Sequence, residues 1–162
     1  MKKRVYIETT IPSFYFEPRS DPEMVARRDW TRRWWADAGV RYELVTSVAV
    51  VEELSRGEFA ARQDCLRLIQ HLPLVPIDAA VAEIVQTYVA RHVMPCDPVG
   101  DALHLALASQ YRCDFLVTWN CSHLANANKF DHIRRINTLL GLFVPALVTP
   151  LELTGEDDDG RG

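Results

Sequence analysis

DFLVTWN, residues 114–120, opens with the most apolar strand candidate of the chain, Asp114 to Thr118, and closes on a polar residue, Asn120. So apolar a run is expected at the centre of a sheet, buried on both faces. Ahead of it, Ala102 to Tyr111 recurs at helical spacing, entered through Asp97 and Pro98, an N-cap followed by proline at the first helical position. After it come a polar loop, a helix from about Asn128 to Leu140, and a last strand near Ala146 to Val148.

The same alternation runs back to the start. Arg4 to Ile7 (RVYI) reads as strand one, closed by Glu8, Thr9, Thr10 and Pro12. A helix follows from Asp21 to about Ala38, where Met24, Val25, Trp30, Trp34 and Trp35 recur at helical spacing and Gly39 is the expected stop. Glu43 to Thr46 is strand two, and Ser47 caps a helix to Arg56. Glu58 to His71 is helical, Leu74 to Ile77 a short edge strand beside Pro73 and Pro76, and Asp78 caps a helix to about His92. Strands alternating with helices predict an α/β fold: a three-layer αβα sandwich with a mainly parallel sheet of about five strands.

Composition agrees with one domain. The chain has 162 residues, 48% of them hydrophobic, enough for a sizeable core and unlike a disordered or disulfide-stapled chain. Residues 1–153 are expected to form that domain, and the acidic, glycine-bearing stretch 154–162 a disordered tail. No run of about 18 apolar residues predicts a membrane span. The apolar run after Met1 to Arg4 is broken by Glu8 and Pro12, so no secretory signal is expected, and Cys65, Cys96, Cys113 and Cys121 are expected as reduced thiols in a cytoplasmic protein. A net charge of −4 gives no general attraction for phosphate backbones. Nucleic-acid binding would need a local patch, for which Arg27, Arg28, Arg32 and Arg33 are the best candidates, although a solvated helix face explains them equally well.

Chain direction then places four polar residues together. In a parallel sheet all strands end at one edge, and each crossover helix starts near that edge. Glu8 ends strand one, and Asn120 follows Thr118 at the end of the central strand. Glu53 lies six residues after Ser47, and Asp101 near the start of the helix leading to the central strand. Ligands of open α/β sheets bind in this crevice. Three carboxylates and an amide oxygen are hard ligands that suit Mg²⁺ or Mn²⁺, and the implied chemistry is hydrolytic phosphoryl transfer. No DxDxT nucleophile motif follows strand one, which disfavours a phosphatase of the haloacid dehalogenase type.

VYIETT (5–10), TSVAVVEELSRG (46–57), GDALHLALA (100–108) and LVTWN (116–120) together resemble the PIN-domain ribonucleases, in particular the VapC-type toxins of toxin–antitoxin pairs. The resemblance implies a parallel sheet flanked by helices and an Mg²⁺- or Mn²⁺-dependent endoribonuclease. It also implies an RNA substrate, a small antitoxin as partner, and a homodimer. It places the family's acidic positions on Glu8, Glu53, Asp101 and Asn120, with Thr9, Thr10 and Thr118 as the accompanying hydroxyls. Glu8 reaches one methylene further than the usual Asp. Asn120 removes a negative charge, which weakens a second metal more than a first; His123 and Asn126 are the nearby substitutes. The alternative is a PIN-like module that binds RNA or protein without cleaving.

Other readings stay open at this level. Asp101 also suits a helix dipole, Glu53 a solvated helix face, and Asn120 a plain turn. His104, among Leu103, Leu105 and Leu107, reads as a packed core histidine. Cys121 and His123 show no standard zinc spacing with the remaining cysteines and histidines. Trp30, Trp34 and Trp35 read as core or dimer contact ahead of an RNA stacking platform.

Overall fold

A computed structural model describes residues 1–94 and 99–154. Cys96, the expected cap Asp97–Pro98 and the tail from residue 155 onward lie outside the described residues. Four strands, β1 (Arg4–Ile7), β2 (Glu43–Val45), β3 (Phe115–Val117) and β4 (Ala146–Val148), form one sheet in the order β2-β1-β3-β4. All three pairings are parallel, with Tyr6 beside Val45 on one side and Leu116 on the other. The connecting helices are α1 (Thr10–Tyr15), α2 (Pro22–Arg41), α3 (Val48–Arg56), α4 (Arg62–Ile69), α5 (Ala79–Ala90), α6 (Val99–Gln110) and α7 (Ala127–Leu139).

Alternation along β1 divides the core between two layers. Val5 and Ile7 pack with Ile11, Trp34, Ala38, Tyr42 and Val117, so α1 and α2 cover that face. Tyr6 points the other way and packs with Val50, Leu54, Leu105, Leu116 and Ile133, which belong to β3 and to α3, α6 and α7. Both faces of the short central strands are therefore buried, as the apolar runs require. Each fully buried aliphatic side chain contributes about 1.5–3 kcal/mol over an exposed one.

The sheet has four strands where about five were expected. At 74–77 only an isolated parallel bridge forms between Thr46 and Leu74. Thr46 donates its N–H to the Pro73 carbonyl at 3.0 Å and accepts from Val75 N–H at 2.8 Å. Pro73 and Pro76 have no N–H to give, so the ladder stops after one rung. Helix α1 was not anticipated: Pro12 falls in its first turn, where a missing N–H costs nothing. Helix α2 runs through the expected stop at Gly39 to Arg41, and α4 starts at Arg62, four residues later than expected.

Candidate active site

Glu8 directly follows β1, and Asn120 lies just past β3, the neighbouring parallel strand. Glu53 stands in the second turn of α3, which leaves from β2, and Asp101 in the first turn of α6. The carboxyl edge of the sheet thus gathers all four. A surface hollow of about 500 Å³ lined by Trp35, Tyr42 and His71 lies instead beside the amino ends of β1 and β2.

Glu8 is buried and held by hydroxyls. Its Oε1 accepts from Thr118 Oγ1 at 2.6 Å and Thr10 Oγ1 at 2.7 Å, and its Oε2 accepts from Thr10 N–H at 3.0 Å. Burial pushes the Glu8 carboxyl above its ordinary range, against the charge of His104 and the hydrogen bonds of Thr118 and Thr10. Glu53 is half-buried, accepting from His104 Nε2 at 2.8 Å and Thr9 Oγ1 at 2.6 Å. Burial raises its carboxyl too, but the hydrogen bond and charge of His104, the Thr9 hydroxyl and the charge of Arg56 together leave it below its ordinary value. The neighbouring Glu52 is exposed and pairs with Arg56 on the solvent side.

Asp101 faces Asn120, whose Nδ2 donates to both carboxylate oxygens at 3.2 and 3.3 Å. The other end of the amide is committed as well: Asn120 Oδ1 accepts from His123 N–H at 3.1 Å. Because a backbone N–H only donates, this bond fixes which way the amide points. Asn120 therefore acts here as a donor to Asp101, with its oxygen on the His123 side, so sharing an ion with Asp101 through that oxygen would require the amide to turn. Burial raises the Asp101 carboxyl, opposed by the charges of His104 and His123 and by Asn120. His123 Nδ1 is buried without a hydrogen-bond partner. Asn126 caps α7, accepting from Asn128 N–H at 3.0 Å.

Aromatic and basic groups flank this edge. Arg27 stacks over Trp119 at 5.3 Å and Phe14 at 5.5 Å, and Arg32 lies over Tyr15 at 5.1 Å while donating to the Tyr15 carbonyl. Trp34 is core, whereas Trp30 is partly exposed beneath Arg33. Cys65 and Cys113 are buried free thiols and Cys121 an exposed one.

Among the described residues, no three His, Cys, Asp or Glu side chains stand close enough to form a preformed metal cage. The donor chemistry nevertheless suits a hard cation. Three carboxylates and the single imidazole bonded to them, with no Lys or Arg bonded to the set, leave the group short of positive charge. That deficit of positive charge is what a divalent ion supplies. Mg²⁺ usually keeps several waters and is bound through one or two carboxylates plus substrate phosphates, so it does not need all three to converge.

The sequence profile of the PIN domain matches residues 5–120, and the chain belongs to that family. Solved structures share its fold, two of them as follows. One is VapBC2 from Rickettsia felis bound to a DNA fragment from their promoter, at 13% identity and a TM-score of 0.51, covering 90% of this chain and 98% of that one. The other is FitAcB from Neisseria gonorrhoeae, at 17% identity and 0.53, covering 91% and 98%. No curated protein sequence matches the chain.

His104 is the site residue that the sequence reading passed over. It is indeed a packed histidine, 1% exposed, but both ring nitrogens are engaged and one of them holds Glu53. Its position three residues after Asp101, on the same side of α6, was the available signal.

Proposed function

We propose that this chain is an Mg²⁺- or Mn²⁺-dependent endoribonuclease, the toxin of a toxin–antitoxin pair, working in the cytoplasm as a homodimer and restrained by a small antitoxin protein. The observation that carries the reading is the placement of Glu8, Glu53 and Asp101, from three different elements, along the carboxyl edge of a parallel sheet. PIN family membership and the likeness to the VapBC2 and FitAcB structures support it. No helix among the described residues is long and apolar enough to cross a membrane.

Asp101 and Glu53, half-buried and open to the edge, would hold the ion, with Glu8 behind them. When bound, the ion supplies charge that activates water and offsets the build-up of negative charge on phosphate. The protein's part is placement. Thr10 and Thr118 fix Glu8, Thr9 and His104 fix Glu53, and Asn120 fixes Asp101. Exposed Arg32 would give the RNA backbone a local attraction that the net charge denies it, whereas Arg27 is already paired with Glu23.

The test is cleavage of single-stranded RNA by the full chain with Mn²⁺, with EDTA, and in Asp101→Ala. Activity that needs the metal and disappears in the variant supports the proposal; cleavage indifferent to both assigns it to another site or a contaminant. A second reading, a PIN-like module that binds without cleaving, is favoured by one observation: Asn120 supplies a neutral donor to Asp101 where the family resemblance expects an acid. RNA binding unchanged by Mn²⁺ and no cleavage would support it.

A further inference from the structure

Beneath the carboxylates runs a buried polar chain made of Ser47, Tyr6 and His104, all within the core. Ser47 Oγ meets the Tyr6 hydroxyl at 2.7 Å, and the same hydroxyl meets His104 Nδ1 at 2.7 Å. From the far side of the ring, His104 Nε2 meets Glu53 Oε1 at 2.8 Å. A polar ring among Leu105, Ala106, Leu107 and Ala108 is costly unless both nitrogens are satisfied, and here both are.

The protons on this chain can be placed by valence. The Glu53 carboxylate only accepts, so Nε2 carries a hydrogen. Nδ1 then either accepts from Tyr6 or donates to it, with the Ser47 hydroxyl rotating to suit. In both arrangements the Nε2–H···Glu53 bond persists. The anchor therefore does not depend on the charge of the ring.

Glu53 is confined on its other sides as well. Thr9 Oγ1 donates to Oε2 at 2.6 Å, and a Cβ added to Gly100 would lie 3.0 Å from Oε1. Glu53 hangs from a helix surface, where a free glutamate samples many rotamers. Here an imidazole and a threonine each hold one of its oxygens, and the glycine leaves room for it.

We infer that His104 is a positioning residue that presets the Glu53 carboxylate for cation binding, with Tyr6 and Ser47 fixing the ring. This rests on the metal-dependent reading of the site. Hydrogen-bond partners behind a ligand are worth about 10- to 100-fold in metal affinity.

The probe is Mn²⁺ alone, titrated into the full chain without RNA and followed by electron paramagnetic resonance, beside the thermal midpoint of each variant. Glutamine at this position puts its amide nitrogen near the place of Nε2, and asparagine near that of Nδ1. His104→Gln is expected to bind within about threefold of the parent, whereas His104→Asn and His104→Leu lose about tenfold or more. In a Glu53→Gln background those differences are expected to vanish. Equal Mn²⁺ binding by all folded variants, or rescue by Asn and not Gln, overturns the inference while leaving the metal site in place. So does failure of both amide variants to fold, because the ring then serves packing. A parent protein that binds no Mn²⁺ removes the metal-dependent reading itself, and this inference with it.

Discussion

Helix α6 carries a buried polar network at each end, and the two are built differently. At its carboxyl end Ser109, Tyr88 and Asn137 satisfy one another: Tyr88 Oη donates to Asn137 Oδ1 at 2.5 Å, and Asn137 Nδ2 donates to Ser109 Oγ and to the Phe143 carbonyl, each at 2.9 Å. That network is neutral and closed. At the amino end Asp101 and His104 join Glu8 and Glu53 in a network with three carboxylates and one imidazole, and it opens to solvent through Glu53 and Asp101. A closed neutral network gives stability and a unique packing. An under-neutralised one costs stability, and its presence is explained by what binds there.

The contrast is broken most strongly by Asp101→Ala. RNA cleavage is expected to fall about 100-fold or more, the scale of losing a charge-handling group in a site. The thermal midpoint should hold or rise, because a half-buried carboxylate whose charge burial disfavours is removed. A large loss of stability with intact cleavage would invert the roles of the two ends. Asn137→Ala should do the opposite. It removes one partner each from the Tyr88 hydroxyl, Ser109 and the Phe143 carbonyl, leaving Tyr88 with Ser109 alone, at about 1–3 kcal/mol, lowering the midpoint by several degrees while Mn²⁺ binding stays unchanged.

Alkali titrates the buried thiols and the closed network's hydroxyl. Burial pushes the Tyr88 hydroxyl up to about 12, the Cys113 thiol to about 12 and the Cys65 thiol to about 11. Above about pH 9 the unfolded chain gives up thiol protons that the native state keeps, so stability should decline steadily between about pH 9 and about 12. Urea midpoints across that window check it, and Cys113→Ala should flatten the slope. The smallest expected effect belongs to Arg32→Ala. With the cleavage-dead Asp101→Ala chain as background, it should reduce the salt dependence of RNA binding by about 0.7 in the log–log slope if Arg32 touches one phosphate.

Much of this was legible in the sequence, and the misses have physical causes. The four strands follow from apolar runs, and the shared edge from chain direction, which is how Glu8, Glu53, Asp101 and Asn120 were placed. Residues 74–77 look like a strand by composition, but prolines on both sides leave a single bridge. Helix α1 is six residues long, too short for periodicity to declare itself. His104 sits in an apolar context and its partner Glu53 is 51 residues away, so only the fold brings the two together. The amide of Asn120 could be assigned a position from sequence but not a direction; its bond to His123 N–H supplies that.

Whether the open network at the amino end of α6 is a cation site is decided by titrating Mn²⁺ into the 162-residue chain and into Asp101→Asn, with Asn137→Ala as the control from the other end. Saturable binding is expected in the parent and in Asn137→Ala, with a loss of tenfold or more in Asp101→Asn, since losing only a partner behind a ligand already costs about 10- to 100-fold. Equal binding in all three, or none in any, would contradict it.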